Sequence, residues 1–86
     1  MYYVYIIQSL KDYSYYIGYS KDPEKRLEKH NNAKTGYTSR KQPWRLVYTK
    51  MFENKTEAMK WEKFIKKLKS KIFIQKMIDG DIIQFI

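Results

Sequence analysis

The chain has 86 residues, the length of one small domain with a modest core, and no cysteine, which excludes disulfides, thiolate zinc sites and a cysteine nucleophile. Eighteen Lys and Arg against nine Asp and Glu leave a formal charge of +9, so the expected partner is a polyanion, nucleic acid first, with unspecific attraction to anionic surfaces as the plainer alternative. No basic region followed by an apolar core marks a signal peptide, and no apolar run approaches the ~20 residues of a membrane helix, so a soluble chain without membrane attachment is expected, in a reducing cytoplasm.

YYVYIIQS, residues 2–9, reads as a strand with Tyr3, Tyr5 and Ile7 on one face and Val4 and Ile6 on the other. LKDYS turns the chain, and SYYIGYS returns as the second strand of an antiparallel hairpin. Gly18 interrupts that strand, where a glycine costs backbone entropy and packs nothing, so something else is expected to need the space. Asp22 before Pro23 is a helix start, and the helix PEKRLEKHNN should stop near Asn31 or Asn32. Residues 33–43 are polar, punctuated by Gly36 and Pro43, and read as an exposed loop before a third strand, WRLVYTKMF. Asn54 or Thr56 caps a second helix, EAMKWEKFIKKLKSK, whose Ala58, Trp61, Phe64, Ile65 and Leu68 form an apolar stripe expected to face the sheet. Ile72, Phe73, Ile74, Met77 and Ile78 fit a third helix ended by Gly80, with a short apolar segment after it. The expected architecture is one α+β domain over residues 1–86, a three-stranded sheet flanked by helices in the order ββαβαα.

Three side chains stand out chemically. Arg26 and His30 are four apart on one helix and share a face that suits a phosphate, since arginine offers a planar fork of donors and keeps its charge. The plainer reading is a solvated basic helix, with Lys25 and Lys29 alongside. His30 is either an acid or base near neutral pH or an ordinary surface residue. Glu62 sits next to Trp61 at the edge of the apolar stripe, where its charge needs a cation in a cleft or an ion pair with Lys66. The nine carboxylates are otherwise scattered, and Asp79 and Asp81 flank Gly80 as turn residues, so one metal held with substrate phosphate and water fits better than two.

Tyr3-Val4-Tyr5, then Tyr16-Ile17-Gly18 with Tyr16 eleven positions after Tyr5, then Arg26, His30 and a later helical Glu62, resemble the GIY-YIG endonuclease family. Lys21 to Leu27, Gly36-Tyr37-Thr38, and Pro43-Trp44 leading into Leu46-Val47-Tyr48 are similar to its short single-domain bacterial members, which resemble the N-terminal nuclease domain of the excision-repair excinuclease. The resemblance implies a mixed or antiparallel three-stranded sheet and hydrolysis of phosphodiesters, in DNA rather than RNA, with one Mg²⁺ or Mn²⁺, in repair or processing in a bacterial cytoplasm.

By the same resemblance Tyr5 helps to activate the attacking water, Tyr16 orients it or touches the scissile phosphate, Arg26 stabilises developing charge, His30 belongs to the catalytic set, Glu62 holds the metal, and Gly18 leaves room for the substrate backbone. A tyrosine with its usual pKa near ~10 is protonated at neutral pH, so Tyr5 either becomes phenolate under nearby positive charge or positions water as a neutral phenol. Gly18, Tyr19, Lys21 and Lys25 are expected to meet nucleic acid, joined by Tyr37, Arg40, Lys41 and Trp44 of the loop, whose stacking would favour single-stranded, branched or damaged substrates. Tyr3 replaces the glycine of the first motif, Tyr19 follows the glycine of the second, and no asparagine follows Glu62. With no DNA-reading or second nuclease module expected beside the domain, weak, salt-sensitive binding, a protein partner that supplies specificity, and a monomer or weak dimer are expected. A nucleic-acid-binding module without turnover and a basic accessory protein of a ribonucleoprotein are the competing functions.

Overall fold

The computed structural model describes residues 1–80, which fold in the order β1 (Tyr2–Ser9), β2 (Tyr15–Ser20), α1 (Pro23–Asn32), β3 (Trp44–Phe52), α2 (Lys55–Leu68) and α3 (Lys71–Asp79), with a short 3-10 helix at Thr38–Lys41. The apolar segment expected after Gly80, and Asp81, lie outside the described residues. β1 is the middle strand and runs antiparallel to both β2 and β3, so the sheet is wholly antiparallel and not mixed.

A middle strand covered on both faces buries consecutive side chains, and Val4, Tyr5, Ile6 and Ile7 are all at 1% exposure or less. The strand period divides them. Val4 and Ile6 join Ile17, Ala58, Ile65, Ile74 and Met77 under α2 and α3, whereas Tyr5 and Ile7 join Trp44, Tyr16, Leu27 and Leu46 on the face that carries α1. The result is three layers, with α1 on one side of the sheet and the α2–α3 pair on the other.

Each α-helix begins on a side-chain cap that satisfies a free backbone N–H. The Asp22 carboxylate accepts from the Lys25 N–H at 3.1 Å, the Asn54 side chain from the Glu57 N–H at 2.9 Å, and the Ser70 hydroxyl from the Phe73 N–H at 3.1 Å. Asn54 is therefore the cap of α2, and Thr56 lies inside the helix. α2 also ends earlier than its composition suggests, at Leu68, because Lys69 turns into the left-handed region at φ 47° and Ser70 starts α3. Gly80, at φ 82°, closes α3 with its N–H on the carbonyls of Lys76 and Met77.

The stripe on α2 is only partly covered: Ala58 and Ile65 are buried, but Phe64 is 47% exposed and Leu68 41%. Behind it, the Tyr48 hydroxyl and the Trp61 indole nitrogen are buried without a hydrogen-bond partner among the described residues, and burial pushes the Tyr48 phenol pKa up. The loop of residues 33–43 is polar, as expected, but tied down. Gln42 Nε2 donates to the carbonyls of His30 (2.8 Å) and Ala33 (2.9 Å), which fixes the loop to the end of α1.

Candidate active site

Tyr5 stands directly opposite Gly18 in the β1–β2 ladder. Its ring lies over the glycine so closely that a Cβ built there would come within 2.6 Å of the Tyr5 hydroxyl oxygen and 2.7 Å of Cζ. The missing side chain thus makes a seat for the Tyr5 phenol, which corrects the expectation that the gap waits for a substrate backbone.

From its seat Tyr5 reaches the last turn of α1. Its hydroxyl is 3.1 Å from His30 Nε2, and the His30 ring in turn packs against Tyr16, with centroids 4.8 Å apart. Burial, the neighbouring Tyr16 phenol and the Glu62 carboxylate push the Tyr5 pKa up to about 12, and the opposing pull of Arg26 is too weak to reverse the shift. The positive surroundings therefore do not make Tyr5 a phenolate near neutral pH. His30 moves the other way: burial, then the cations of Arg26 and Lys29, lower its pKa and favour neutral imidazole.

Tyr5, Tyr16, Gly18, Arg26 and Glu62 all contribute to the wall of an open cavity of about 670 Å³, whereas His30 does not line it and stands behind Tyr5 and Tyr16. Arg26 projects from α1, one turn before His30 and on the same face. Glu62 comes from α2 in the opposite layer, so the cavity gathers groups from both sides of the sheet. Its side chain is only 12% exposed, and Lys66 Nζ approaches one carboxylate oxygen at 3.7 Å. Glu62 thus borders the cavity and also makes the long i,i+4 ion pair with Lys66. Such a pair is too loose to satisfy a carboxylate by itself.

Among the described residues no three acidic or histidine side chains converge as a metal cage. A lone, largely shielded carboxylate nevertheless fits a hard divalent cation that keeps several waters and takes substrate phosphate as a further ligand. Asp22 also borders the cavity, but its side chain is committed to capping α1.

Tyr19, Lys21 and Lys25 line the same cavity as Gly18. The loop residues divide. Tyr37 is 50% exposed and its ring lies 6.4 Å from that of Tyr16, beside the site. Trp44, by contrast, is 3% exposed and offers no free face to a base. Its indole N–H donates to the Thr38 carbonyl at 2.9 Å, and its backbone exchanges two hydrogen bonds with the Asn31 side chain, so it fastens α1 to β3. Lys41 is paired with Asp12 of the hairpin turn, whose carboxyl that contact holds well below the usual range, and neither Lys41 nor Arg40 borders the cavity.

Five residues that line the cavity were not singled out for it in the sequence: Tyr2, Ser20, Asp22, Lys29 and Lys55. Lys29 lies three positions after Arg26 and Lys55 seven before Glu62, so helical spacing from the chosen residues could have found both.

The sequence model of the GIY-YIG catalytic domain matches residues 1–77, and the chain belongs to the GIY-YIG family. Membership implies a nuclease and a nucleic-acid substrate. Its relatives include the UPF0213 protein SSP2268 of Staphylococcus saprophyticus, 51% identical over 65 residues, which are 74% of this chain and 78% of that one. The UPF0213 protein CPE1444 of Clostridium perfringens is 48% identical over 69 residues, 79% of this chain and 73% of the relative. The solution NMR structure of the UPF0213 protein BH0048 from Bacillus halodurans superposes with a TM-score of 0.58 at 39% identity, covering 92% of this chain and 84% of that one.

Proposed function

We propose that the protein is an endonuclease that hydrolyses DNA phosphodiester bonds with the help of one divalent cation, Mg²⁺ or Mn²⁺. One observation carries the reading: Tyr5, Arg26 and Glu62 line a single cavity together with several lysines, and His30 stands behind Tyr5, hydrogen-bonded to its hydroxyl.

In this reading a water oxygen forms a bond to phosphorus while the bond to the leaving oxygen breaks, that oxygen taking up a proton from solvent. The attacking water gives its proton to the Tyr5 oxygen as the phenol passes its own to His30 Nε2, so Tyr5 relays and never has to wait as a phenolate. The depressed His30 pKa supports this role, because a neutral ring with its proton on Nδ1 accepts at Nε2. Arg26 stabilises the extra negative charge on the phosphoryl oxygens, and Tyr16 packs the imidazole in place. Glu62 would hold the cation, which supplies Lewis-acid stabilisation of the phosphate when bound.

A second reading, a binding module without turnover, draws on the single cavity carboxylate free of a capping role and its contact with Lys66. Incubation of supercoiled, single-stranded and branched DNA, and of RNA, with Mg²⁺ or Mn²⁺ separates the two. The nuclease reading expects metal-dependent cutting that falls about 10²-fold or more in Tyr5→Phe, His30→Ala and Glu62→Ala. Because Tyr5 and His30 work as a unit, their double variant should lose little beyond either single one. A parent that binds but does not cut, or variants that cut equally well, would favour the binding module.

A further inference from the structure

The cavity extends beyond the groups assigned above. At its border stand Lys21, whose ammonium lies 5.4 Å from the centroid of the Tyr2 ring, and Lys55, the first residue of α2. Lys55 and Glu62 are seven positions apart on one helix, so they share a face and are separated by about 10 Å along its axis at the ~1.5 Å rise per residue. Lys60, on the same helix, lines a different, apolar groove and pairs with Glu57. α2 therefore directs one acidic and one basic side chain into the same cavity at a fixed separation.

A nucleic-acid strand advances ~3.4 Å per nucleotide along a duplex axis and further per nucleotide when extended, so about 10 Å corresponds to roughly two or three nucleotides. We infer that Lys55, with Lys21, forms a second phosphate site that holds the backbone two or three nucleotides from the bond placed at Glu62, with α2 as the spacer. The inference rests on the nuclease reading for the position of the scissile bond, but the site itself needs only a phosphodiester chain. Lys21 directly follows β2 and Lys55 opens α2, so the nucleic-acid strand would bridge the sheet edge and the helix.

Two measurements on the full chain test this. The first is binding of a DNA oligonucleotide without divalent metal across a salt series. Lys55→Gln and Lys21→Gln should each lower the slope of log affinity against log salt by about 0.7–0.9, the loss of one phosphate contact, while Lys60→Gln should leave it unchanged. The second is cleavage of end-labelled oligonucleotides carrying one neutral methylphosphonate linkage at each position in turn. The parent should cut poorly two or three nucleotides to one side of the neutral linkage, and Lys55→Gln should abolish that interference while raising KM several-fold at nearly unchanged kcat. If the parent cuts nothing yet the salt slope falls in Lys55→Gln, the nuclease reading fails and the phosphate site stands. If the parent cuts and Lys55→Gln alters neither slope nor interference, the phosphate site is overturned and the nuclease reading stands.

Discussion

A single methyl group added at position 18 would have to share space with the Tyr5 ring, at 2.6 Å from its oxygen and 2.7 Å from Cζ. Gly18→Ala should therefore push the phenol away from His30 and reduce cleavage at least tenfold, while overpacking costs about 1–3 kcal/mol in denaturant unfolding. Because Cζ is crowded as well as the oxygen, combining it with Tyr5→Phe should not restore stability. The two shifted groups of the site, His30 and Tyr5, also shape the pH response. In the proposed nuclease mechanism His30, with its folded pKa below 6.5, acts uncharged, so single-turnover rates should fall as pH drops through that lowered value. Its sign for stability is the same: the unfolded chain takes up the proton first, so the contribution is complete above pH 6.5 and is lost as pH falls through the folded value. Tyr5 acts in the opposite direction. With its pKa raised from 10.0 to about 12, its contribution is complete below pH 10 and fades as pH climbs towards 12, and ultraviolet titration should find a tyrosine still protonated when ordinary ones have ionised. Motif spacing made Tyr5, Tyr16, Arg26, His30 and Glu62 legible in the sequence. The seat at Gly18 was not, because a glycine declares that space is needed but not which neighbour fills it. Trp44 misled for a related reason: after a polar loop and a proline it resembles an exposed aromatic, and only the Asn31 and Thr38 contacts reveal an anchor.

Among the elements, strands and caps were readable because their signals are local. Alternation on β1 announced its two faces, and Asp22 before Pro23 announced α1. The boundary between α2 and α3 was not, since lysines and apolar residues continue across it with good helical spacing and the break depends on one left-handed residue, Lys69, followed by a serine cap. A lysine in that conformation is disfavoured, so Lys69→Gly should stabilise the fold by about 0.5–1 kcal/mol, whereas Ser70→Ala should cost about 1 kcal/mol, both measured by thermal or denaturant unfolding. If the two helices were one continuous element in solution, the glycine would destabilise instead. The exposed Phe64 and Leu68 have a similar origin, because a period shows which side chains share a stripe but not how wide the covering layer is.

Across the whole molecule the charge of +9 correctly pointed to a polyanion, but it could not show where cations gather, and Lys25, Arg26, Lys29 and Lys55 prove to share a cavity with the phenol while Lys41 is spent on a turn. The central strand has another consequence. Tyr5 is flanked in the chain by Val4 and Ile6, each fully buried in the opposite layer, and its own backbone is laddered on both sides. A phenol mounted this way has no hinge of its own, and any excursion that carries its backbone out of register must also open the helix-covered core. The amide protons of β1 should accordingly exchange with deuterated solvent only through global unfolding, among the slowest in the chain, while those of the loop at residues 33–37 exchange early. Slow exchange would mean that the groups proposed to react are held by the same cooperative unit that keeps the protein folded, so thermal inactivation and loss of structure should occur together.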